Sequence, residues 1–379
     1  MKVAILTLPL HTNYGGILQA YALQTVLEQL GHEVVVLEQE KQPEKMTLKR
    51  LLKLYIKRII KNLIGRKCFI FYERRKEWEY PIISQHTQKF ISEYIHRKII
   101  NFKNLRENDF DAIVVGSDQI WRPCMFPNIE NAYLKFTIDW DIKRISYAAS
   151  LGVDNWEYSP EQTKECRRLI QKFNAISVRE NSSIDLLKKY FNVNACHVLD
   201  PTLLLTARDY LNFCTDVPES EGTLLTCILD ECTPKLRLVN KIAKEKKLKP
   251  FSVTAKAGNV KCSIEERIYP CVESWLKGFH DAKFVVTDSF HACVFAILFK
   301  KQFVVYGNRG RGMARFHSLL QSLNMEDRLI TDLSKYKKMV DIDYDSVYVR
   351  LEQLKKSSFS YLKYALAIND QNHSSVFEY

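Results

Sequence analysis

The stretch Val285-Val286-Thr287-Asp288-Ser289-Phe290-His291-Ala292 decides the fold of this chain. A strand-like apolar run ends in small and polar residues, a second apolar segment follows at 293–299, and the next strand pattern lies at 303–306. This order of strand, turn, helix and strand is typical of a parallel sheet. It places His291 at the carboxyl end of a strand and the start of a helix, where ligands bind and free N–H groups attract anions. His291 is therefore a candidate proton donor beside a phosphate or carboxylate; the alternative is a buried histidine that bonds a loop carbonyl.

The same alternation of strand and helix patterns runs through most of the chain. The strand patterns are short apolar runs with polar exits, and in the first part they lie at 3–8, 33–37, 110–115, 144–150, 175–178 and 197–199. A second series begins at Thr223. Strands that alternate with helices predict parallel sheets covered on both faces. We therefore predict an α/β fold with two doubly wound parallel-sheet domains that face a cleft.

Changes in composition divide the chain into three predicted parts. The first domain is predicted at 1–208, and a polar, irregular crossover at 209–222 opens the second domain at 209–335. Residues 336–379 contain a long amphipathic helix pattern from Tyr344 to Ile368, which we expect to pack back on the first domain. Further helix is predicted for 71–97.

The overall composition is that of a soluble globular protein. The chain has 379 residues, of which 46% are hydrophobic and 26% charged, and this length favours two domains over one. No apolar run is long enough to span a membrane, and residues 1–9 are interpreted as a first strand, not a signal peptide. Ten cysteines are scattered without CxxC pairs, which predicts reduced core residues in a cytoplasmic protein without structural zinc.

The net charge of +12 is concentrated in one segment. Residues 41–67 contain ten Lys or Arg and one acid, Glu44, and apolar residues recur there at helical spacing. We predict a basic amphipathic helix near 45–65, compatible with docking on anionic lipid headgroups. The alternative is a helix whose apolar face packs on its own domain. Nucleic acid is not an expected partner, because no binding module accompanies the charge.

Several strand exits carry side chains that are suited to chemistry. Besides His291, the candidates at these exits are Asn13, Tyr14, Gly15, Gly16, Ser117, Asp118, Arg179 and Ser289. The two glycines let the backbone approach a ligand closely, although they do not form a GxGxxG fingerprint. A further exit at 308–315 is rich in arginine, and Arg311 or Arg315 can serve there as a donor to phosphate or carboxylate.

Each of these candidates also has a structural reading. Asp118 is equally well placed to cap a helix N-terminus. Arg179 and Glu180 are compatible with an ion pair at a helix start. The double glycine can be a tight turn, and the arginine-rich loop can be a solvated surface turn.

Six strings, taken in order, resemble the polysaccharide pyruvyl transferase family. They are 13–24 (NYGGILQAYALQ), 115–121 (VGSDQIW), 145–150 (ISYAAS), 176–180 (ISVRE), 198–204 (VLDPTLL) and 287–292 (TDSFHA). The resemblance covers about residues 1–329. The glycine that usually follows the histidine in the family is Ala292 here.

The resemblance implies a fold, a reaction and a set of roles. Members of the family have a GT-B-like fold and transfer the pyruvyl group of phosphoenolpyruvate to two hydroxyls of a sugar, forming a cyclic ketal and releasing phosphate. Arg179 matches the substrate arginine, and Ser289 belongs to the phosphoenolpyruvate site. His291 is the candidate acid at the methylene or the charge partner of the phosphate, and Asp118 is the candidate base.

The resemblance also implies the partners. Phosphoenolpyruvate is the donor substrate, and no cofactor or metal is expected. The acceptor is a cell-surface polysaccharide precursor, lipid-linked at the cytoplasmic face of the membrane. Two alternatives stay open: a glycosyltransferase of GT-B type that uses a nucleotide sugar, and a non-catalytic glycan-binding protein of the same fold.

Overall fold

The structure, a computed structural model, describes residues 1–40, 48–65, 69–126, 128–258, 262–337 and 339–367. The start of the predicted basic helix, at 45–47, and the C-terminal tail, at 368–379, lie outside the described residues.

The described residues form twelve strands and twelve α-helices. The strands are β1 (Lys2–Leu6), β2 (Glu33–Gln39), β3 (Arg97–Ile100), β4 (Ala112–Val115), β5 (Lys143–Ala149), β6 (Ala175–Val178), β7 (Cys196–His197), β8 (Leu224–Cys227), β9 (Pro250–Phe251), β10 (Phe284–Thr287), β11 (Gln302–Tyr306) and β12 (Leu329–Ile330). The helices are α1 (Tyr14–Gln29), α2 (Leu48–Leu63), α3 (Tyr72–Ile83), α4 (Gln85–Tyr94), α5 (Pro160–Ile170), α6 (Asn181–Phe191), α7 (Ala207–Leu211), α8 (Thr233–Lys246), α9 (Val272–Asp281), α10 (Phe290–Leu298), α11 (Ala314–Ser322) and α12 (Tyr344–Ala367). Along the described chain, strands and helices alternate except that α2, α3 and α4 are consecutive and no α-helix lies between β3, β4 and β5.

The strands form two parallel sheets. The first has the order β3-β2-β1-β4-β5-β6-β7 and the second has the order β12-β11-β10-β8-β9. In the first sheet the order reverses between β1 and β4, and in the second it reverses between β8 and β10; both pairs are parallel. Such reversal points open a crevice at the carboxyl ends of the strands, and ligands bind in it. The predicted pair of parallel-sheet α/β domains is confirmed.

Burial explains why these segments form covered parallel strands. Every residue of β4 (AIVV) and β10 (FVVT) is buried, as expected for strands with helices on both faces. All nine residues of α10 are buried as well. One cluster of buried apolar side chains includes residues of both sheets, such as Ile5 and Val285, so the two domains share part of their core.

The helix at the end of the described chain returns to the first sheet. The Tyr361 hydroxyl donates to the Ser146 carbonyl at 2.8 Å, and Lys143 Nζ donates to the Leu366 carbonyl at 2.8 Å. Helix α12 therefore packs on the first domain although it follows the second in sequence. No helix among the described residues is long and apolar enough to cross a membrane.

The prediction of helix over 71–97 is wrong in two places. The helix is broken at Ser84 into α3 and α4, and β3 begins at Arg97 and pairs with β2. This edge strand exposes Lys98 and Ile99, so it lacks the alternation of apolar and polar residues that marks a half-buried strand. The predicted irregular crossover at 209–222 also begins inside a short helix, α7.

Candidate active site

The reversal points of the two sheets meet at Gly15 and His291. Gly15 lies in the first turn of α1, after β1, and His291 lies in the first turn of α10, after β10. A Cβ atom on Gly15 would lie 2.1 Å from His291 Nδ1, a distance at which the two cannot coexist. Glycine is therefore required for α1 to approach the histidine, and this approach brings the exits of β1 and β10 together.

A buried ionic cluster occupies the first-domain side of this junction. Arg179, after β6, donates to Asp118 Oδ1 at 2.8 Å and to Asp200 Oδ2 at 2.7 Å. The side chains of all three residues are at most 5% exposed. The other oxygen of Asp200 accepts from the backbone N–H and the hydroxyl of Thr202, at 3.0 and 2.6 Å. The Arg179 guanidinium thus connects the segments that follow β4, β6 and β7.

The second domain adds His291 and Arg315 to this cluster. His291 Nε2 lies 3.5 Å from Asp200 Oδ2, and Arg315 Nη1 lies 3.9 Å from Asp118 Oδ1. The ring of Phe290 lies beneath both guanidinium groups, 4.7 Å from Arg179 Cζ and 5.4 Å from Arg315 Cζ. The same cluster therefore contains two cations and two carboxylates, with one imidazole beside them.

Burial and neighbouring charges shift the pKa values of this cluster. Burial, the largest influence, raises the pKa of both aspartates, but it is outweighed for Asp118 by Arg179, His291 and Arg315, and for Asp200 by His291 and Arg179. The pKa of each carboxyl therefore lies below its usual value, and both stay ionised. Burial, followed by the charge of Arg179, lowers the pKa of Arg315 to about 10.

Three buried polar atoms of the cluster have no hydrogen-bond partner among the described residues. They are Arg179 Nε, Arg315 Nε and His291 Nε2. Unsatisfied buried donors are costly, so these three atoms are candidates for contact with a ligand. The side chain of Arg315 donates to the Arg311 carbonyl at 2.9 Å, but it touches a carboxylate only at 3.9 Å. It is therefore the cation of the cluster with the least compensated charge.

Some predicted site residues lie in the cluster, and others have different neighbours. Ser117 belongs to it, since its hydroxyl donates to Asp200 Oδ2 at 3.3 Å. Ser289 caps α10 by accepting from the Ala292 N–H at 3.5 Å. Arg311 is half-exposed and pairs with Asp230 at 2.6 Å, whereas Arg315 of the same loop brings its guanidinium to the cluster.

The residues at the start of α1 have separate positions. The Tyr14 hydroxyl donates to the Pro270 carbonyl at 2.7 Å, and its ring stacks on Trp275, so this side chain joins the two domains. Asn13 is exposed at the N-cap of α1, beside Gly16. The roles of all these residues toward substrate stay predictions.

Two structural readings of the sequence are wrong. Asp118 does not cap a helix: it lies in a bend with φ 61°, and its carboxylate pairs with Arg179. Glu180 does not take Arg179 as its partner in an ion pair at the start of α6. Its Oε1 instead accepts from the Leu151 and Gly152 N–H groups at 2.9 and 3.0 Å and holds the loop after β5.

Asp200 and Phe290 were missed as site residues. Both lie within strings that carried the family resemblance, 198–204 and 287–292, but neither string shows what the side chains contact. The available signal was the position of Asp200 directly after a strand pattern, a position that Asp118 and Arg179 also have.

Among the described residues, no group of three or more His, Cys, Asp or Glu side chains is placed to hold a metal ion.

The fold and the cluster together define a GT-B-like α/β protein with two parallel sheets, in which the facing reversal points share one buried ionic site. The chain belongs to the polysaccharide pyruvyl transferase family, whose model matches residues 13–310, and it is therefore a transferase. Membership of this family implies a glycan acceptor. No curated protein matches the chain.

Several solved structures are similar to the chain over nearly its whole length. The UDP-GlcNAc 2-epimerase from Neisseria meningitidis bound to UDP-GlcNAc has 12% identity, with 96% of this chain and 94% of that chain covered and a TM-score of 0.44. Arabidopsis thaliana UGT89C1 complexed with UDP-L-rhamnose has 10% identity, coverage of 96% and 98%, and a TM-score of 0.49. Identity and superposition are too low in both cases to indicate the donor or acceptor of this chain.

Proposed function

We propose that the protein transfers the pyruvyl group of phosphoenolpyruvate to two hydroxyls of a sugar in a cell-surface polysaccharide precursor. The observation that carries this proposal is the poorly compensated, buried guanidinium of Arg315, in the same cluster as Arg179 Nε and His291 Nε2, which make no hydrogen bond within the described residues. Phosphoenolpyruvate has a phosphate and a carboxylate, and guanidinium groups bind both. The proposal uses phosphoenolpyruvate as a substrate and includes no cofactor.

In the first step of the proposed reaction, a proton is added to the methylene carbon of phosphoenolpyruvate. Positive charge then develops at the central carbon, and a sugar hydroxyl adds to it and loses its proton. We assign the proton donation to His291, whose Nε2 faces Asp200 at 3.5 Å and has no hydrogen-bond partner in the described structure. We assign the hydroxyl proton to Asp118; the hydroxyl oxygen takes on the positive charge as it bonds to the central carbon and becomes strongly acidic, so a carboxylate with a lowered pKa suffices as its proton acceptor.

In the second step, the other hydroxyl of the same sugar bonds to the central carbon and the carbon–oxygen bond to phosphate breaks. The bonding electron pair leaves with the phosphate, which also takes up the second hydroxyl proton, so the products are a cyclic ketal and inorganic phosphate. We assign to Arg315 the stabilisation of the departing phosphate, since its guanidinium is buried in a site with little solvent. Arg179 already holds two carboxylates, and its part is to bind the substrate through Nε alone.

We further propose that the acceptor is lipid-linked and that the reaction takes place at the cytoplasmic face of the membrane. The basic helix predicted near 45–65 supports this location, since α2 carries Lys and Arg residues and no acid.

The test is phosphate release from phosphoenolpyruvate that depends on an acceptor. Purified protein is mixed with the donor and with acceptors that contain galactose, glucose or N-acetylmannosamine, and phosphate is measured with and without acceptor. We expect release with one acceptor class, with kcat at least about 100-fold lower for His291→Gln and KM for the donor little changed. Release of nucleotide from a sugar nucleotide, with no phosphate from phosphoenolpyruvate, would favour the glycosyltransferase. Glycan binding with no turnover of either donor would favour the non-catalytic alternative.

A further inference from the structure

One face of helix α2 attaches it to the rest of the first domain. Arg58 forms a two-point ion pair with Glu73, with both contacts at 2.6 Å, and its Nη1 also donates to the Ile70 carbonyl at 3.0 Å. The Tyr55 ring packs edge-on against Phe71 at 5.0 Å. Leu51 and Leu54 share this half-buried face. Its neighbours are thus the residues that lead into α3.

A second face of α2 is apolar and exposed. Its residues recur at intervals of four, three, one and three, and they are Leu52, Ile56, Ile59, Ile60 and Leu63. Their side chains are 42 to 82% exposed. Scattered exposed apolar residues are ordinary, but a continuous stripe along about three turns marks an interaction surface. The apolar residues that the sequence placed on α2 are therefore divided between the half-buried face and this exposed stripe.

A third face of α2 is basic. Lys49, Arg50, Lys53, Lys57 and Lys61 are all exposed, and residues 48–65 contain no acid. At 3.6 residues per turn, the centre of this basic face lies about 110° from the centre of the apolar stripe, so the two are adjacent. An exposed apolar stripe bordered by cations is the arrangement of helices that lie in the plane of a membrane interface.

We propose that α2 docks the protein on the surface of an anionic lipid bilayer. Lys and Arg side chains would contact the headgroups while Ile56, Ile60 and their neighbours enter the boundary of the acyl chains. Charge complementarity selects this partner, because the patch offers five exposed cations without an acid along it. The inference gives the proposed function a partner and a place, but the docking itself rests on α2 alone.

Co-sedimentation with vesicles tests the electrostatic part. The full chain is mixed with phosphatidylcholine vesicles that contain phosphatidylglycerol, and with vesicles of phosphatidylcholine alone. We expect binding to the anionic vesicles, and a drop of at least about 25-fold for Lys53→Glu with Lys57→Glu, because each lost cation costs roughly fivefold and each new carboxylate adds repulsion. Arg58 is left intact, because its ion pair with Glu73 holds α2 in place.

The matched control reverses two exposed cations on another helix. Lys164→Glu with Arg167→Glu on α5 changes the net charge by the same amount. Its binding to anionic vesicles should stay within a factor of about two of the unmodified chain, since these residues are remote from the patch in sequence and carry no apolar stripe. If the α2 and α5 variants lose the same amount of vesicle binding, the loss depends on the net charge of the protein alone, and the assignment of docking to α2 is wrong.

The apolar stripe is tested by Ile56→Gln with Ile60→Gln, because glutamine keeps the helix propensity. We expect at least a tenfold loss of vesicle binding and no change in oligomeric state by analytical ultracentrifugation. If the unmodified chain instead forms dimers that these substitutions dissociate, the stripe is an interface between copies and the proposal is wrong. Phosphate release with a water-soluble acceptor should be unchanged in the docking variants, so a failure of docking remains distinguishable from a failure of the proposed reaction.

Discussion

At the scale of single residues, the arginines of the cluster differ in what holds them. Arg179 has two carboxylates within 2.8 Å, whereas Arg315 has one at 3.9 Å and a lowered pKa of about 10. Removing one partner from a buried ion pair costs about 3–5 kcal/mol, so substitutions of Arg179 report on stability as much as on substrate binding. Arg315 is the better probe of the site, because no carboxylate of the described residues accepts a hydrogen bond from it and its nearest carboxylate oxygen is 3.9 Å away.

We predict that Arg315→Met separates ligand binding from stability. Removing a poorly compensated buried cation should leave the Tm without ligand equal to or above that of the unmodified chain, while the stabilisation by phosphoenolpyruvate disappears. At a ligand concentration of 100 times Kd this stabilisation is about 2.7 kcal/mol. Thermal unfolding with and without phosphoenolpyruvate measures both quantities.

The control for this prediction is Arg311→Met in the same loop. The ion pair of Arg311 with Asp230 is half-exposed, and such pairs contribute about 0–1 kcal/mol, so this variant should keep the ligand-induced shift. A fall of several degrees in the ligand-free Tm of Arg315→Met would show instead that Arg315 stabilises the apo protein.

At the scale of elements, the site depends on how closely α1 approaches α10. The first turn of α1 is in contact with the imidazole of His291, and there is no space for a methyl group between them. Two further helices, α6 and α11, begin within two residues of Arg179 or Arg315, as α10 does at His291. Helix N-termini carry partial positive charge, which adds to the attraction of this region for an anion.

We predict that Gly15→Ala displaces His291 and lowers kcat at least tenfold. The new Cβ would lie 2.1 Å from Nδ1 and 2.2 Å from Cγ of the histidine, so the ring or the helix must shift. Overpacking of this kind costs about 1–3 kcal/mol. Alanine is a better helix former than glycine, so helix propensity does not explain a loss.

Gly258→Ala is the control for Gly15→Ala, because a Cβ at Gly258 has no heavy atom within 4 Å. Phosphate release and Tm are measured for both variants. Activity of Gly15→Ala equal to that of the unmodified chain would mean that the start of α1 does not hold His291 in its working position.

At the scale of the whole molecule, the sequence predicts the order of elements well and their contacts poorly. Apolar runs at 112–115 and 284–287 were recognisable because strands covered on both faces are continuously apolar. The edge strand β3 was not recognisable, since its exposed residues break that pattern. The contacts of Asp200 could not be predicted from the sequence either. Its partners Arg179 and His291 lie 21 and 91 positions away, and only the tertiary fold brings them together.

We predict a loss of stability in acid that depends on Asp200. Its pKa is lower in the folded chain than in the unfolded one, so its contribution is fully present above the unfolded value near 4 and is lost as the pH falls below it. Asp200→Asn should lower the free energy of unfolding at pH 7 by about 3 kcal/mol and flatten the decline of Tm below about pH 4. Asp154→Asn, at an exposed position, is the control and should leave the profile unchanged. Parallel profiles for Asp200→Asn and the unmodified chain would contradict the prediction.

The cluster is divided between the two halves of the chain, and this division affects how the gene can change. Asp118, Arg179 and Asp200 precede the crossover at 209–222, and His291 and Arg315 follow it. Neither half of the gene therefore encodes a complete site. Recombination that exchanged one half with a relative would place the second domain of that relative against Asp118 and Asp200, so only exchanges that preserve the charge pattern on both sides would yield a working enzyme.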